Sequence, residues 1–190
     1  RVYQLLDREE MSKAETDDVP SGAGEVVFSH VCFAYDKDKP LIKDLNLNVK
    51  AGQKVALVGP TGGGKTTIVN LLMRFYDIDG GTITIDGVDT SVMDRAKLRE
   101  QFGMVLQDTW LFNGTVYDNI AYGKENATME EVVEAAKKAH ADYFIETLPN
   151  GYNTVINEES TNISSGQKQL LTIARSYLAN RKMLILDEAT

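Results

Sequence analysis

The chain has 190 residues, 43% of them hydrophobic, enough for one sizeable globular domain with room for a subdomain. Its net charge of −8 at pH 7, with no basic cluster, argues against a nucleic-acid-binding face. No run approaches the roughly 18 apolar residues of a membrane span and no signal peptide opens the sequence. The single cysteine, Cys32, excludes an internal disulfide and reads as a small buried apolar residue in a reducing compartment.

In chain order, residues 1–7 read as the last turns of a helix. Residues 8–24 are acidic, carry Pro20, Gly22 and Gly24, and have linker composition. From Glu25 the pattern turns to β, with short runs at 26–28 and 31–35 and a charged turn at 36–39. Residues 41–49 alternate, Leu45, Leu47 and Val49 against Asn46 and Asn48, as a half-buried strand does. Lys54-Val55-Ala56-Leu57-Val58 reads as a short buried strand, and the helix beyond it sets Ile68, Leu72 and Phe75 on one face.

Between that strand and that helix lies Gly59-Pro60-Thr61-Gly62-Gly63-Gly64-Lys65-Thr66-Thr67, a G-x-x-x-x-G-K-T match in the strand–turn–helix context it requires. Gly62, Gly63 and Gly64 free the backbone to turn several N–H groups inward as an anion nest. The following helix aims its positive end at the same place. Lys65 adds a point charge for the β- and γ-phosphates, and the Thr66 hydroxyl is placed to ligate Mg²⁺. The bland alternative is an ordinary glycine turn. The reading is a nucleotide-phosphate site.

Further on, Gly80-Gly81 turns into an alternating strand at 82–86, residues 96–101 read as helical, and 103–107 as a strand. Thr128 with Glu131 is a capping box ahead of Val132, Val133, Ala135, Ala136 and Ala139 at helical spacing. A second helix starts near Ser164-Ser165-Gly166 and continues through Leu170, Leu171, Ile173, Ala174, Tyr177 and Leu178, with Asn180 as its stop. Met183-Leu184-Ile185-Leu186 then ends in Asp187-Glu188. Alone, that is an ordinary strand end. With the phosphate loop upstream it completes a Mg-nucleotide site, Asp187 beside the metal and Glu188 polarising the attacking water. Likewise Asn162-Ile163-Ser164-Ser165-Gly166-Gln167 is by itself a serine helix cap, although a helix start of small residues also receives phosphate.

In this order the motifs resemble the nucleotide-binding domain of an ABC transporter over residues 25–190. Ser164, Ser165, Gly166 and Gln167 fall on its L-S-G-G-Q signature, with Ile163 for the Leu and Ser165 for the first Gly. Tyr35 sits where the family has an aromatic that stacks on adenine, and Gln107 where it has a glutamine touching Mg²⁺ or the attacking water. Read without that resemblance, Tyr35 is a surface tyrosine at a hairpin. Leu111-Phe112-Asn113-Gly114-Thr115-Val116-Tyr117-Asp118-Asn119-Ile120 looks like the exporter branch, whose nucleotide domain follows the membrane helices on one chain.

The resemblance implies an α/β fold, a P-loop NTPase core of ABC ATPase type with an N-terminal antiparallel β subdomain and an inserted α-helical subdomain at about 114–165. It makes 1–24 the end of a connecting helix plus linker, and 25–190 a nucleotide-binding domain whose D-loop and H-loop part is absent. The implied ligands are ATP and Mg²⁺, the metal held by Thr66, Gln107 and Asp187, with Glu188 and Gln107 catalytic. The implied partners are a second nucleotide-binding domain, whose ATP the signature reaches, and a covalently linked N-terminal transmembrane domain, placing the chain at the cytoplasmic face of a membrane. This stretch alone is expected to bind nucleotide with little turnover. Thr154 and Glu158 keep part of an exporter motif, T-x-V-G-E-x-G, that loses its glycines to Asn157 and Ser160. One rival is a soluble ABC-type ATPase acting in DNA repair, chromosome maintenance or on ribosomes; another is a P-loop kinase or GTPase, disfavoured by the signature and by the absence of N-K-x-D.

Overall fold

A computed structural model describes residues 20, 22–105, 110–157 and 162–186. The chain divides into two compact units, 1–100 and 101–190. Residues 1–19, Gln107, residues 158–161, Asp187 and Glu188 lie outside the described residues. None of the described helices is long and apolar enough to cross a membrane.

The first unit is built on an antiparallel sheet of order β2-β1-β3-β4, from β1 (Val26–Phe33), β2 (Ile42–Val49), β3 (Gly80–Ile85) and β4 (Val88–Asp89). β1 is the inner strand, setting Val26 opposite Val49 on one side and Ile85 on the other. Its alternation buries Val26, Phe28, Val31 and Phe33, as a pleated strand with one covered face must. The two runs expected at 26–28 and 31–35 are one strand, bent where His30 takes a left-handed φ of 51°. Gly81 makes that bend possible: a Cβ there would lie 2.4 Å from the His30 carbonyl oxygen. Cys32 is half-buried rather than fully buried, and its thiol donates to the Lys43 carbonyl at 2.7 Å.

Helix α1 (Lys65–Leu72) buries Thr67 and Leu71. The face expected at Ile68, Leu72 and Phe75 is a correction: Ile68 and Leu72 are half-buried, and Phe75 lies past the helix end with 42% of its surface exposed. The cause is Arg74, whose left-handed φ of 51° ends the helix. Its buried guanidinium donates to the carbonyls of Thr90 and Met93, turning the chain before Phe75 can continue the spiral. Arg99, from the short α2 (Arg95–Arg99), donates to the carbonyls of Met73 and Arg74 and stacks over Phe75.

The strand expected at 54–58 is also corrected. These residues carry no ladder, and Val55, Leu57 and Val58 are exposed. A continuous apolar run signals a strand meant for cover on both faces, but a strand exists only where a neighbour accepts its hydrogen bonds. No described residue pairs with it.

The second unit pairs β5 (Phe102–Val105) with β8 (Met183–Leu186) in parallel, and β6 (Gly114–Thr115) with β7 (Val155–Ile156) in antiparallel. Its helices are α3 (Val116–Ala121), α4 (Met129–Lys138), α5 (Asp142–Thr147) and α6 (Ser165–Leu178). Their apolar stripes meet in one core that includes Val116, Ile120, Val132, Ala136, Ile145 and Leu171. The helical cluster therefore runs on through α6, beyond 165. Close approach is built in at Gly123, where a Cβ would sit 2.3 Å from the Arg175 carbonyl oxygen on α6.

A buried polar hub binds the cluster. Asn119, fully enclosed, accepts from the Phe112 N–H and donates to the carbonyls of Phe112 and Thr115. Arg175 donates to the Asn119 backbone and side-chain oxygens, and burial lowers its pKa below the ordinary guanidinium value. Satisfying every lone pair is what makes a polar group tolerable at such depth.

Candidate functional site

The site in the first unit grows from the turn before α1. Gly62 and Gly64 adopt φ of 80° and 86°, a region only glycine enters at no steric cost. The Gly63 N–H closes the turn onto the Pro60 carbonyl at 3.0 Å. A Cβ at Gly59 or Gly62 would meet nothing within 4 Å, so the loop surface is an open backbone cradle. Helix α1 starts at Gly64 with no side chain capping it, leaving first-turn N–H groups to an outside acceptor. Lys65 crosses the loop, its Nζ donating to the carbonyls of Gly59 and Pro60 at 2.9 and 3.0 Å. Thr66 is exposed in that first turn, while Thr67 is buried.

Tyr35 joins this place from the end of β1. Its hydroxyl shares a hydrogen bond with the Thr67 hydroxyl at 3.2 Å, while 54% of the residue stays exposed. The structure thus brings together Tyr35 and the 59–67 loop, two features far apart in sequence. Tyr76, which periodicity did not single out, packs its ring 5.0 Å from that of Tyr35. The only sequence signal for it was an aromatic pair just past a helix end.

Ser164, Ser165, Gly166 and Gln167 lie at the start of α6 in the second unit. Ser164 Oγ accepts from the Gln167 N–H, and Gln167 Oε1 accepts from the Ser164 N–H, a reciprocal cap. The serine hydroxyl keeps its own proton to donate. Upstream, Thr154 is buried and its hydroxyl accepts from the Asn150 N–H. Asn119 and Arg175, which brace α6, were invisible to sequence patterning, because a polar residue on a helix face reads as solvated.

An open glycine-rich cradle, a lysine beside it and an exposed tyrosine lie together here, and comparison with known proteins decides the family. Residues 42–190 match the family model described as ABC transporter. The chain belongs to the ABC transporter family. It is 54% identical over its whole length to a fatty acid ABC transporter ATP-binding/permease protein of Mycobacterium bovis, of which it spans 30%. An ATP-dependent lipid A-core flippase of Methylobacillus flagellatus is 47% identical, with 33% of its length covered. Among solved structures, a bacterial Atm1-family ABC exporter with ATP bound superposes with a TM-score of 0.87 at 42% identity, over 99% of this chain and 33% of that one. The fold is accordingly that of an ABC exporter nucleotide-binding domain, a P-loop NTPase.

Proposed function

We propose that this chain is the ATP-binding and ATP-hydrolysing motor of an ABC exporter, two such domains closing head to tail around two Mg-ATP to drive export across a membrane. The observation that carries the reading is the start of α1, where left-handed glycines, an uncapped helix terminus and Lys65 coincide, tied to Tyr35 through Thr67. Backbone N–H groups and an ammonium suit the phosphates, and the exposed ring suits the base.

Thr66, Gln107 and Asp187 would hold Mg²⁺, which would neutralise charge on the phosphate oxygens. The exposed Thr66 hydroxyl beside the cradle fits that role. Glu188 takes the proton of the attacking water, and Gln107 senses its position. Ser164, Ser165, Gly166 and Gln167 present the N-terminus of α6 to the ATP of the opposite protomer, with the Ser164 proton as donor. Such closure completes the site only when both ATPs are bound. The fused permease named in relatives supports a covalently linked N-terminal transmembrane domain over the soluble switch, and a position at the cytoplasmic face of that membrane goes with this reading.

The test is binding of a fluorescent ATP analogue with Mg²⁺, alongside turnover, in the intact protein. Lys65→Ala weakens binding tenfold or more, and Glu188→Gln abolishes turnover while binding persists. Binding indifferent to Lys65→Ala, or turnover surviving Glu188→Gln, would refute the assignment.

A further inference from the structure

We propose that Tyr76 is a positioning residue for the ring of Tyr35, holding it ready for the base; this rests on the reading of Tyr35 as the base-stacking residue. Phe33, Tyr35 and Tyr76 form a closed trio. The Tyr35 ring lies 4.8 Å from Phe33 at 85° and 5.0 Å from Tyr76 at 87°, and Phe33 and Tyr76 are 5.8 Å apart. Both contacts to Tyr35 are edge-to-face, the geometry that aromatic quadrupoles favour. Its far end is tied by the bond to Thr67.

The backbone beneath it is fixed as well. The Asp79 carboxylate accepts from the Ala34 N–H at 2.8 Å, and the Asp79 N–H donates to the Cys32 carbonyl. The Leu41 N–H donates to the Phe33 carbonyl. A surface tyrosine otherwise samples several rotamers, and ordering it on binding costs affinity. Here two ring contacts and the bond to Thr67 restrict it before a ligand arrives.

Of the groups that hold the ring, Phe33 is a core residue and Thr67 belongs to the phosphate-loop helix; both are only 5% exposed. Tyr76 differs: 44% of it is exposed, so core filling does not account for its ring. Two half-open aromatic rings side by side, one of them tied through Thr67 to the helix that follows the glycine loop, form a platform whose orientation Tyr76 sets.

The experiment compares two ligands in the intact protein, a fluorescent ATP analogue and inorganic triphosphate, each with Mg²⁺. Tyr76→Ala and Tyr76→Leu weaken the analogue about threefold to tenfold and leave triphosphate unchanged. Tyr76→Phe restores the wild-type value, since the ring and not its hydroxyl makes the contact. In a Tyr35→Ala background, Tyr76→Ala adds no further loss. Analogue binding unchanged in Tyr76→Ala, or an equal loss for triphosphate, overturns the proposal. Tyr35→Ala reads out the underlying assignment separately: if it leaves the analogue's affinity intact, base stacking on Tyr35 fails, and the role of Tyr76 with it.

Discussion

Helix α1 of the first unit begins in the opposite way to the boxed helices of the second. In the second, α3, α4 and α6 each open on a complete capping box, Thr115 with Asp118, Thr128 with Glu131, and Ser164 with Gln167. Its short α5 has no such cap but carries Asp142 in its first turn. In the first unit the short α2 is capped by the Asp94 carboxylate, which accepts from the Lys97 N–H, but α1 opens on a left-handed glycine with no side chain on its N–H groups. A box stabilises a helix by consuming its free donors. An uncapped glycine start gives up that stability and keeps the donors for a ligand. Stability and recognition compete for the same N–H groups, and α1 resolves the competition differently from the capped helices.

The largest expected effect sharpens the contrast by separating folding from binding. Leu171→Ala, which empties a fully buried position in the helical core, costs about 3 kcal/mol and lowers the melting temperature by several degrees. Gly64→Ala meets only Leu41 at ordinary contact distance. Its strained φ costs about 1 kcal/mol, yet triphosphate binding falls tenfold or more. A Gly64→Ala protein that melts much earlier but binds normally would break the comparison.

A smaller effect divides the boxes among themselves. Ser164→Ala and Thr128→Ala each remove one cap and cost about 1 kcal/mol, measured by denaturant melts. On the proposed head-to-tail closure, only Ser164→Ala also reduces ATP-dependent dimerisation, followed by light scattering in a Glu188→Gln background. Equal dimerisation in both variants would make the α6 box purely structural.

The smallest effect is acid sensitivity. The Thr115 hydroxyl holds the Asp118 carboxyl below its ordinary 3.8, and Lys124, then the Thr128 N–H, hold Glu131 below 4.5. A lowered folded pKa contributes stability that is complete above the ordinary value and drains as pH falls through the lowered one. Stability therefore declines below about pH 4.5 at α4 and below about pH 3.8 at α3. The α6 box, closed by the Gln167 amide, does not titrate. Glu131→Gln flattens part of that decline; an unchanged pH profile would remove Glu131 from it.

Much of this was legible in the chain. The glycine loop, the box at Thr128, the serine cap at Ser164, and the strands around 26–49 and 80–86 are local chemistry, set by residues a few positions apart. What was illegible depends on partners. Apolar runs report a wish for cover and not who supplies it, so residues 54–58 read as a strand that no described neighbour completes. The α1 face was misjudged because Arg74 ends the helix by donating to the carbonyls of Thr90 and Met93, which no periodicity contains. Asn119 and Arg175 look solvated in sequence and are buried by tertiary contact alone, and the Tyr35–Tyr76 pairing joins two turns with no shared spacing. Gln107, Asp187 and Glu188 rest on motif order, outside the described residues.

On the proposed nucleotide reading, the bonds from Lys65 to Gly59 and Pro60 make the loop a filter for charge number. The ammonium already holds two carbonyl dipoles, so an entering ligand must outbid partial charges with formal ones. A neutral nucleoside offers nothing to draw it away, and a single phosphate little. A polyphosphate presents several oxyanions at once along the cradle. On that reading the loop ranks ligands by the length of their phosphate tail before any ring is read.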